Sequence, residues 1–182
     1  MPITHQEALV IFQRSLDLFL EHECDQILSN VHEVNLCGRL AVYMQQAANH
    51  LGPPHYFADP EYNRQQGGRV KTILDEQMQV VTVSCDLILH SRGVVVYGDN
   101  LIAVEMKKTE RPDREKQSNR VRLRALTKES FDDVWSADGD THPERVCGYL
   151  LGVFIELHRK DRFLAIEFYR NGAVYDQAVH NF

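Results

Sequence analysis

The most constraining feature of this chain is the stretch NLIAVEMKK, residues Asn100–Lys108, in which four consecutive apolar residues precede Glu105 and Lys107. A short apolar run of this kind predicts a buried strand. Because side chains alternate between the two faces of a strand, Glu105 and Lys107 lie on the same face. A buried charge without a partner costs several kcal/mol, so these side chains require each other, a metal ion or an anionic substrate.

A second strand is predicted at residues 80–90, VVTVSCDLILH, which are rich in β-branched and apolar residues and place Asp86 near the middle. Turn residues at 91–93 and 98–100 predict that the chain reverses before Glu105 and Lys107. The two strands then lie side by side in an antiparallel hairpin or meander, where Asp86 can face both charges. A Glu-x-Lys pair alone is a weak signal, and this context gives it weight.

Length and composition predict a single domain over residues 1–182, with a core that needs no disulfides. No apolar run approaches the length of a membrane span, and the N-terminus lacks a signal-peptide pattern, so we expect a cytoplasmic protein with no membrane partner. The four cysteines are far apart and form no Cys-x-x-Cys pair. We interpret them as ordinary buried thiols.

Hydrophobic periodicity and turn residues predict the remaining elements. The first helix covers residues 5–30, and Asn30 is expected to cap a second helix over residues 31–50. The segment 109–118 is expected to be polar and to precede a helix that ends near residue 128. The other elements are a strand at 55–62, a loop at 65–79, a polar loop at 131–145, and strands at 147–158, 163–170 and 173–179, the last two joined by a hairpin turn at Asn171-Gly172.

Two charged features of the sequence allow both a structural and a functional interpretation. Glu33, in the first turn of the second helix, either interacts with the helix N-terminus or is a carboxylate aimed at a site. Arg120, Arg124 and Lys128 recur every four residues and form a basic stripe. Residues 107–128 hold nine basic and three acidic residues in a chain whose net charge is −6. Such a surplus suits a phosphate backbone beside carboxylates, although a solvated helix face is its more common cause.

The predicted order is helix, strand, Asp-bearing strand, Glu-x-Lys strand, helix and strand. In this order the sequence resembles the PD-(D/E)XK nuclease-like superfamily, in particular small, largely uncharacterised prokaryotic members. The resemblance covers about residues 31–170, and Cys85 stands where the motif name has proline. The segments that carry it are EYNR at 61–64, CDLILH at 85–90, NLIAVEMKK at 100–108 and YLLGVFIE at 149–156. The implied fold is α/β, with a mixed central sheet, an α-β-β-β-α-β restriction-endonuclease-like core, an extra N-terminal helix and C-terminal strands.

The resemblance implies a metal-dependent nuclease that hydrolyses phosphodiester bonds, with DNA favoured over RNA. Asp86 and Glu105 would be metal ligands, Lys107 the lysine of the motif, and Glu33 a further catalytic carboxylate or ligand of a second metal. The hard oxygen donors suit Mg²⁺ or Mn²⁺, with the Met106 backbone carbonyl as a third ligand. The residues expected to bind substrate are Arg64, Lys108, Arg120 and Arg124.

Three functional hypotheses remain open at this point. The first is the nuclease, for which small size and acidic net charge predict a homodimer or a separate targeting subunit. The second is a catalytically silent module of the same fold that binds nucleic acid or a protein partner. The third is an unrelated α/β protein whose match is accidental, which would bind no divalent metal and in which Asp86, Glu105 and Lys107 would not cluster. The non-catalytic interpretation of the three residues themselves is an ion-paired cluster at a sheet edge.

Overall fold

The computed structural model describes residues 3–62, 72–74, 80–82, 85–95, 98–128 and 147–182. Within these ranges the chain forms three helices and eight strands, which confirms the mixed α/β class. Their bounds are α1 His5–Leu28, α2 Glu33–Leu51, β1 Phe57–Tyr62, β2 Thr72–Leu74, β3 Val80–Thr82, β4 Cys85–His90, β5 Asn100–Lys108, α3 Asp113–Thr127, β6 Leu151–His158, β7 Phe163–Arg170 and β8 Ala173–Asn181.

Six of the strands form one mixed sheet in the order β1-β4-β5-β6-β7-β8. Neighbouring strands are antiparallel except β5 and β6, which are parallel. A parallel pair needs a crossover between its strands, and α3 lies in this one. β2 and β3 form a separate antiparallel pair. The large sheet therefore places the two charge-bearing strands, β4 and β5, next to each other.

Helices cover both faces of the large sheet. On one face, α1 and α2 pack on side chains such as Leu87 and Val104. On the other face, Leu123 and Leu126 of α3 pack on Ala103 of β5 and on residues of β6 and β7. Because alternate residues of a strand share a face, Glu105 lies on the same side as Ala103, beneath α3.

The helix boundaries correct two predictions. α2 begins at Glu33 and is capped by His32, whose ring Nδ1 accepts a hydrogen bond from the Val34 N–H. Asn30, the predicted cap, instead has a φ of 64° in the turn that follows α1, so that prediction was wrong. α3 begins at Asp113, within the segment predicted to be polar and non-helical. Acidic side chains in its first turn interact favourably with the helix N-terminus and offset its low apolar content.

The strand boundaries correct three more predictions. The predicted strand at 80–90 is divided, because β3 pairs with β2 whereas β4 pairs with β1 and β5. β2 lies inside the segment predicted to be a loop, and the strand predicted from residue 147 begins at Leu151. The predicted loop at 131–145 and most of that at 65–79 lie outside the described residues.

Local sequence explains two other features of the sheet. Pro60 is tolerated in β1 because this strand lies at an edge, where one side of the backbone needs no partner. The predicted hairpin at Asn171 and Gly172 is confirmed, and both residues have the positive φ that a tight turn between β7 and β8 requires. In the described part of the chain, no helix has the length and apolar character needed to cross a bilayer.

We expect Gly152→Ala to destabilise the protein, because Gly152 allows α3 to lie close to β6. A Cβ atom there would lie 2.8 Å from the Thr127 methyl carbon and 3.0 Å from the Tyr169 Cβ. The expected loss in the free energy of unfolding is about 1–3 kcal/mol, measured by urea denaturation. Gly38→Ala in α2 is the control, since nothing lies within 4 Å of its added Cβ and alanine favours a helix. Equal stability of the two variants would contradict this account.

Candidate active site

Asp86 and Lys107 meet where β4 and β5 run antiparallel. The register pairs Leu87 with Val104, which places Asp86, the residue before Leu87, next to Glu105, the residue after Val104. The Asp86 Oδ2 atom accepts hydrogen bonds from the Met106 backbone N–H at 2.9 Å and from the Lys107 Nζ at 3.2 Å. The Asp86 side chain remains 26% exposed. The two strands therefore place this carboxylate and this ammonium together, as predicted, at a position open to solvent.

Glu105 joins Asp86 and Lys107 in a charged cluster, and its side chain is fully buried. Its Oε1 atom accepts a hydrogen bond from an Arg122 guanidinium nitrogen at 2.5 Å, whereas Oε2 has no partner among the described residues. Burial raises the pKa of Glu105 to about 8, and the nearby Asp86 carboxylate contributes to the rise. A buried carboxylate with one unsatisfied oxygen costs stability, and such groups concentrate at functional sites.

Lys107 is held as an ammonium in this arrangement. Burial lowers its pKa, but the Asp86 and Glu105 charges and the hydrogen bond to Asp86 outweigh burial, so the pKa lies above its ordinary value. The Nζ atom also donates to the Met106 carbonyl at 3.2 Å. Without a cation nearby, Lys107 is therefore suited to donate hydrogen bonds to an anion or a water molecule rather than to act as a base.

Arg122 is one of the nine basic residues of its segment, and its place in the site is not evident from the sequence. In the structure the Arg122 side chain is 19% exposed. It reaches Glu105 from α3, which covers the face of the sheet opposite α1 and α2. A signal in the sequence is that Arg122 adjoins the stripe of Asn119, Leu123 and Leu126 that faces the sheet. An arginine at the edge of a buried helix face can lay its stem on apolar surface and reach a carboxylate of the sheet beneath.

Glu33 lies near the C-terminal end of β5 but is bound by other groups. Its Oε1 atom accepts a hydrogen bond from the Lys108 backbone N–H at 2.9 Å. Its Oε2 atom accepts one from an Arg111 guanidinium N–H at 2.7 Å. Burial raises the pKa of Glu33, but Arg111 and Lys108 more than offset this and lower it. These contacts join α2, β5 and the segment before α3. Both carboxylate oxygens are already used, which favours a structural role, and the metal-ligand role stays a prediction.

The residues predicted to bind substrate do not gather beside Asp86 and Lys107 in the described part of the chain. The Lys108 Nζ donates to the Asn30 side-chain oxygen at 2.9 Å. Arg120 pairs with Glu167 at 2.9 Å, and its guanidinium lies 4.3 Å from the centre of the Phe154 ring. Arg124 is half-buried, and Arg64 lies outside the described residues. The predicted stripe is thus not a uniform solvated face, since Arg120 folds onto the sheet, and contact of these residues with substrate stays a prediction.

The cluster offers few but suitable ligands for a hard cation. The Asp86 Oδ1 and Glu105 Oε2 atoms accept no hydrogen bond from any described residue. Among the described residues, no group of three or more His, Cys, Asp or Glu side chains is arranged to hold a metal. A cation here would therefore depend on two carboxylates, the Met106 carbonyl, and water or substrate oxygens. Mg²⁺ is commonly bound in this way, by one or two carboxylates with several waters retained.

Comparison with known proteins identified no relative of this chain. No family model matches the chain, and neither the curated proteins nor the solved structures gave a match. The resemblance to PD-(D/E)XK nucleases therefore stays an expectation from the sequence segments given above, and the structure adds the geometry of Asp86, Glu105 and Lys107. The arrangement of these three side chains is the basis for assigning a function.

Proposed function

We propose that this protein is a metal-dependent nuclease that hydrolyses phosphodiester bonds, with DNA as the favoured substrate. The observation that carries the proposal is the closeness of Asp86, Glu105 and Lys107 where β4 and β5 pair, with the Oε2 atom of the buried Glu105 left without a hydrogen-bond partner among the described residues. A purely structural ion-paired cluster would gain stability by satisfying both oxygens of a buried carboxylate. The Glu105 Oε2 atom and the partly exposed Asp86 carboxylate are instead suited to receive a cation.

The element order supports a restriction-endonuclease-like core. In this assignment the core is α2, β1, β4, β5, α3 and β6, in the order α-β-β-β-α-β, with the separate β2–β3 pair inserted between β1 and β4 and α1 as the extra N-terminal helix. β7 and β8 extend the sheet beyond β6. Asp86 then lies on the second core strand and Glu105 and Lys107 on the third, which agrees with the positions that the resemblance implies.

The charges of the cluster suit a phosphodiester substrate. A bound divalent cation would neutralise negative charge that builds on the phosphate oxygens during hydrolysis. Asp86 and Glu105 would bind it, and the Lys107 ammonium would orient a water molecule or donate to a phosphate oxygen. With Glu105 ionised, the charges of Asp86, Glu105, Lys107 and Arg122 sum to zero. A divalent cation would therefore leave a net positive site that attracts a phosphate.

A catalytically silent module is the second candidate, and the ion pair between Arg122 and Glu105 favours it. This pair neutralises Glu105 without a metal, so the cluster could persist as an internally compensated structure. For either candidate the net charge of −6 opposes unaided binding to long DNA. We propose that a second copy of the chain or a separate targeting subunit supplies further contacts with nucleic acid.

The test is cleavage of plasmid DNA, linear single-stranded DNA and RNA with Mg²⁺ or Mn²⁺, and with chelator. We expect metal-dependent cleavage of DNA that chelator abolishes. Lys107→Ala should lower the rate by roughly 10²-fold, as expected for loss of a group that stabilises developing charge. Lys160→Ala, at an exposed position, is the matched control and should retain the rate. A wild-type protein that binds Mn²⁺ but cleaves none of the substrates would favour the silent module.

A further inference from the structure

Asp86 and Glu105 each accept a hydrogen bond from a different basic side chain, and among the described residues each does so through one oxygen. Lys107, on the neighbouring strand, binds Asp86 at 3.2 Å, whereas Arg122 comes from α3 and binds Glu105 at 2.5 Å. The described residues provide no other hydrogen-bond partner for Glu105. The orientation of this buried carboxylate therefore depends on Arg122.

We propose that Arg122 is a positioning residue for metal binding, which fixes the Glu105 carboxylate through Oε1 so that Oε2 remains available to a divalent cation shared with Asp86. This inference rests on the proposed metal site and extends it to α3. Partners that orient ligands from outside the coordination sphere commonly contribute 10- to 100-fold, by order of magnitude, to metal affinity. α3 then contributes directly to the site rather than only covering the sheet.

Two roles for Arg122 predict opposite changes. If Arg122 were only a nearby positive charge, its removal would tighten binding of a divalent cation, because like charges repel. If it positions Glu105, its removal leaves the buried carboxylate without its partner, and binding weakens. The sign of the change in affinity therefore separates the two roles.

The experiment is isothermal titration of the full chain with Mn²⁺, comparing wild type, Arg122→Met and Arg122→Lys. We expect Arg122→Met to weaken Mn²⁺ binding by roughly 10- to 100-fold. Arg122→Lys retains a charge and a donor and should recover a large part of the affinity. It also provides the test if the methionine variant does not fold, since a folded lysine variant should bind less tightly than wild type, but measurably.

Arg120→Met is the matched control. Arg120 lies on the same helix and makes an ion pair of the same kind with Glu167 on β7, two strands from Glu105. Its loss should lower stability but leave the Mn²⁺ affinity within about twofold of wild type. This variant distinguishes general loosening of α3 from loss of Glu105 orientation.

The outcomes separate this inference from the proposed function. An Arg122→Met protein that binds Mn²⁺ as tightly as wild type, or more tightly, overturns the positioning role and leaves the metal site intact. If the methionine variant does not fold, the lysine variant decides. An Arg122→Lys protein that binds Mn²⁺ as tightly as wild type, or more tightly, likewise overturns the positioning role. A wild type that binds no Mn²⁺ overturns both. Weakened binding in a protein that cleaves no nucleic acid supports positioning and contradicts the nuclease.

Discussion

Asp86→Asn is expected to abolish Mn²⁺ binding and phosphodiester cleavage together while preserving the fold. The asparagine carbonyl can replace Oδ2 and accept the hydrogen bonds from the Met106 N–H and Lys107. The amide NH₂ group replaces Oδ1, so a hydrogen-bond donor stands where a cation needs an oxygen ligand. We expect affinity to fall by at least about 100-fold, the upper end of the cost of losing even an indirect partner, and cleavage to fall to background.

Mn²⁺ titration, cleavage and thermal unfolding of the same Asp86→Asn preparation provide the measurement. Asp59→Asn is the matched control, because Asp59 is also a carboxylate on the large sheet but pairs with Arg92 and His90. That variant should lose stability and retain Mn²⁺ affinity. If Asp86→Asn binds Mn²⁺ within a few-fold of wild type, Asp86 is not a metal ligand and the proposed site is wrong.

The sequence was sufficient to predict the contact between Asp86 and Lys107 because every step is local. β-branched and apolar runs indicated the two strands, and turn residues showed that the chain reverses between them. Antiparallel neighbours joined by a short connection then place defined residues side by side. The same reasoning correctly predicted the hairpin at Asn171-Gly172, whose turn requires residues that tolerate positive φ.

The remaining parts of the site depend on contacts between residues far apart in the sequence. The parallel pairing of β5 with β6 is one, and the packing of α3 over both strands is another. Spacing along α3 indicated a basic stripe, but only packing shows that Arg120 and Arg122 turn toward buried or half-buried carboxylates. Glu33 illustrates the same limit, since its position on α2 was predicted whereas its pairing with Arg111 was not.

Glu105→Gln is expected to stabilise the metal-free protein at alkaline pH. Burial holds the pKa of Glu105 near 8 in the folded protein, compared with 4.5 in the unfolded chain. Well below pH 4.5 the carboxyl group is protonated in both states and has no effect on the pH dependence. As the pH rises through the interval between the two values, the unfolded chain loses this proton first. The folded state therefore becomes less stable relative to the unfolded state.

The expected size follows from the difference between the two pKa values. Each unit corresponds to about 1.4 kcal/mol, so wild type should lose roughly 3–5 kcal/mol of unfolding free energy relative to Glu105→Gln between pH 4.5 and 8. Glutamine carries no titrating proton, and its carbonyl can still accept the hydrogen bond from Arg122. Groups far from Glu105 titrate alike in the two proteins, so the difference between the two curves reports Glu105 together with its coupling to Asp86 and Lys107.

Urea unfolding of both proteins in chelator, at pH values from 5 to 9, measures this difference. Glu110→Gln, at an exposed position, is the control and should parallel wild type throughout. Saturating Mn²⁺ should reverse the trend for wild type, because a cation binds the ionised carboxylate and binding to the folded state stabilises it. The Glu105→Gln protein should respond weakly to Mn²⁺ at every pH. Parallel curves for wild type and Glu105→Gln in chelator would show that the buried carboxylate is fully compensated by Arg122, which would favour the silent module.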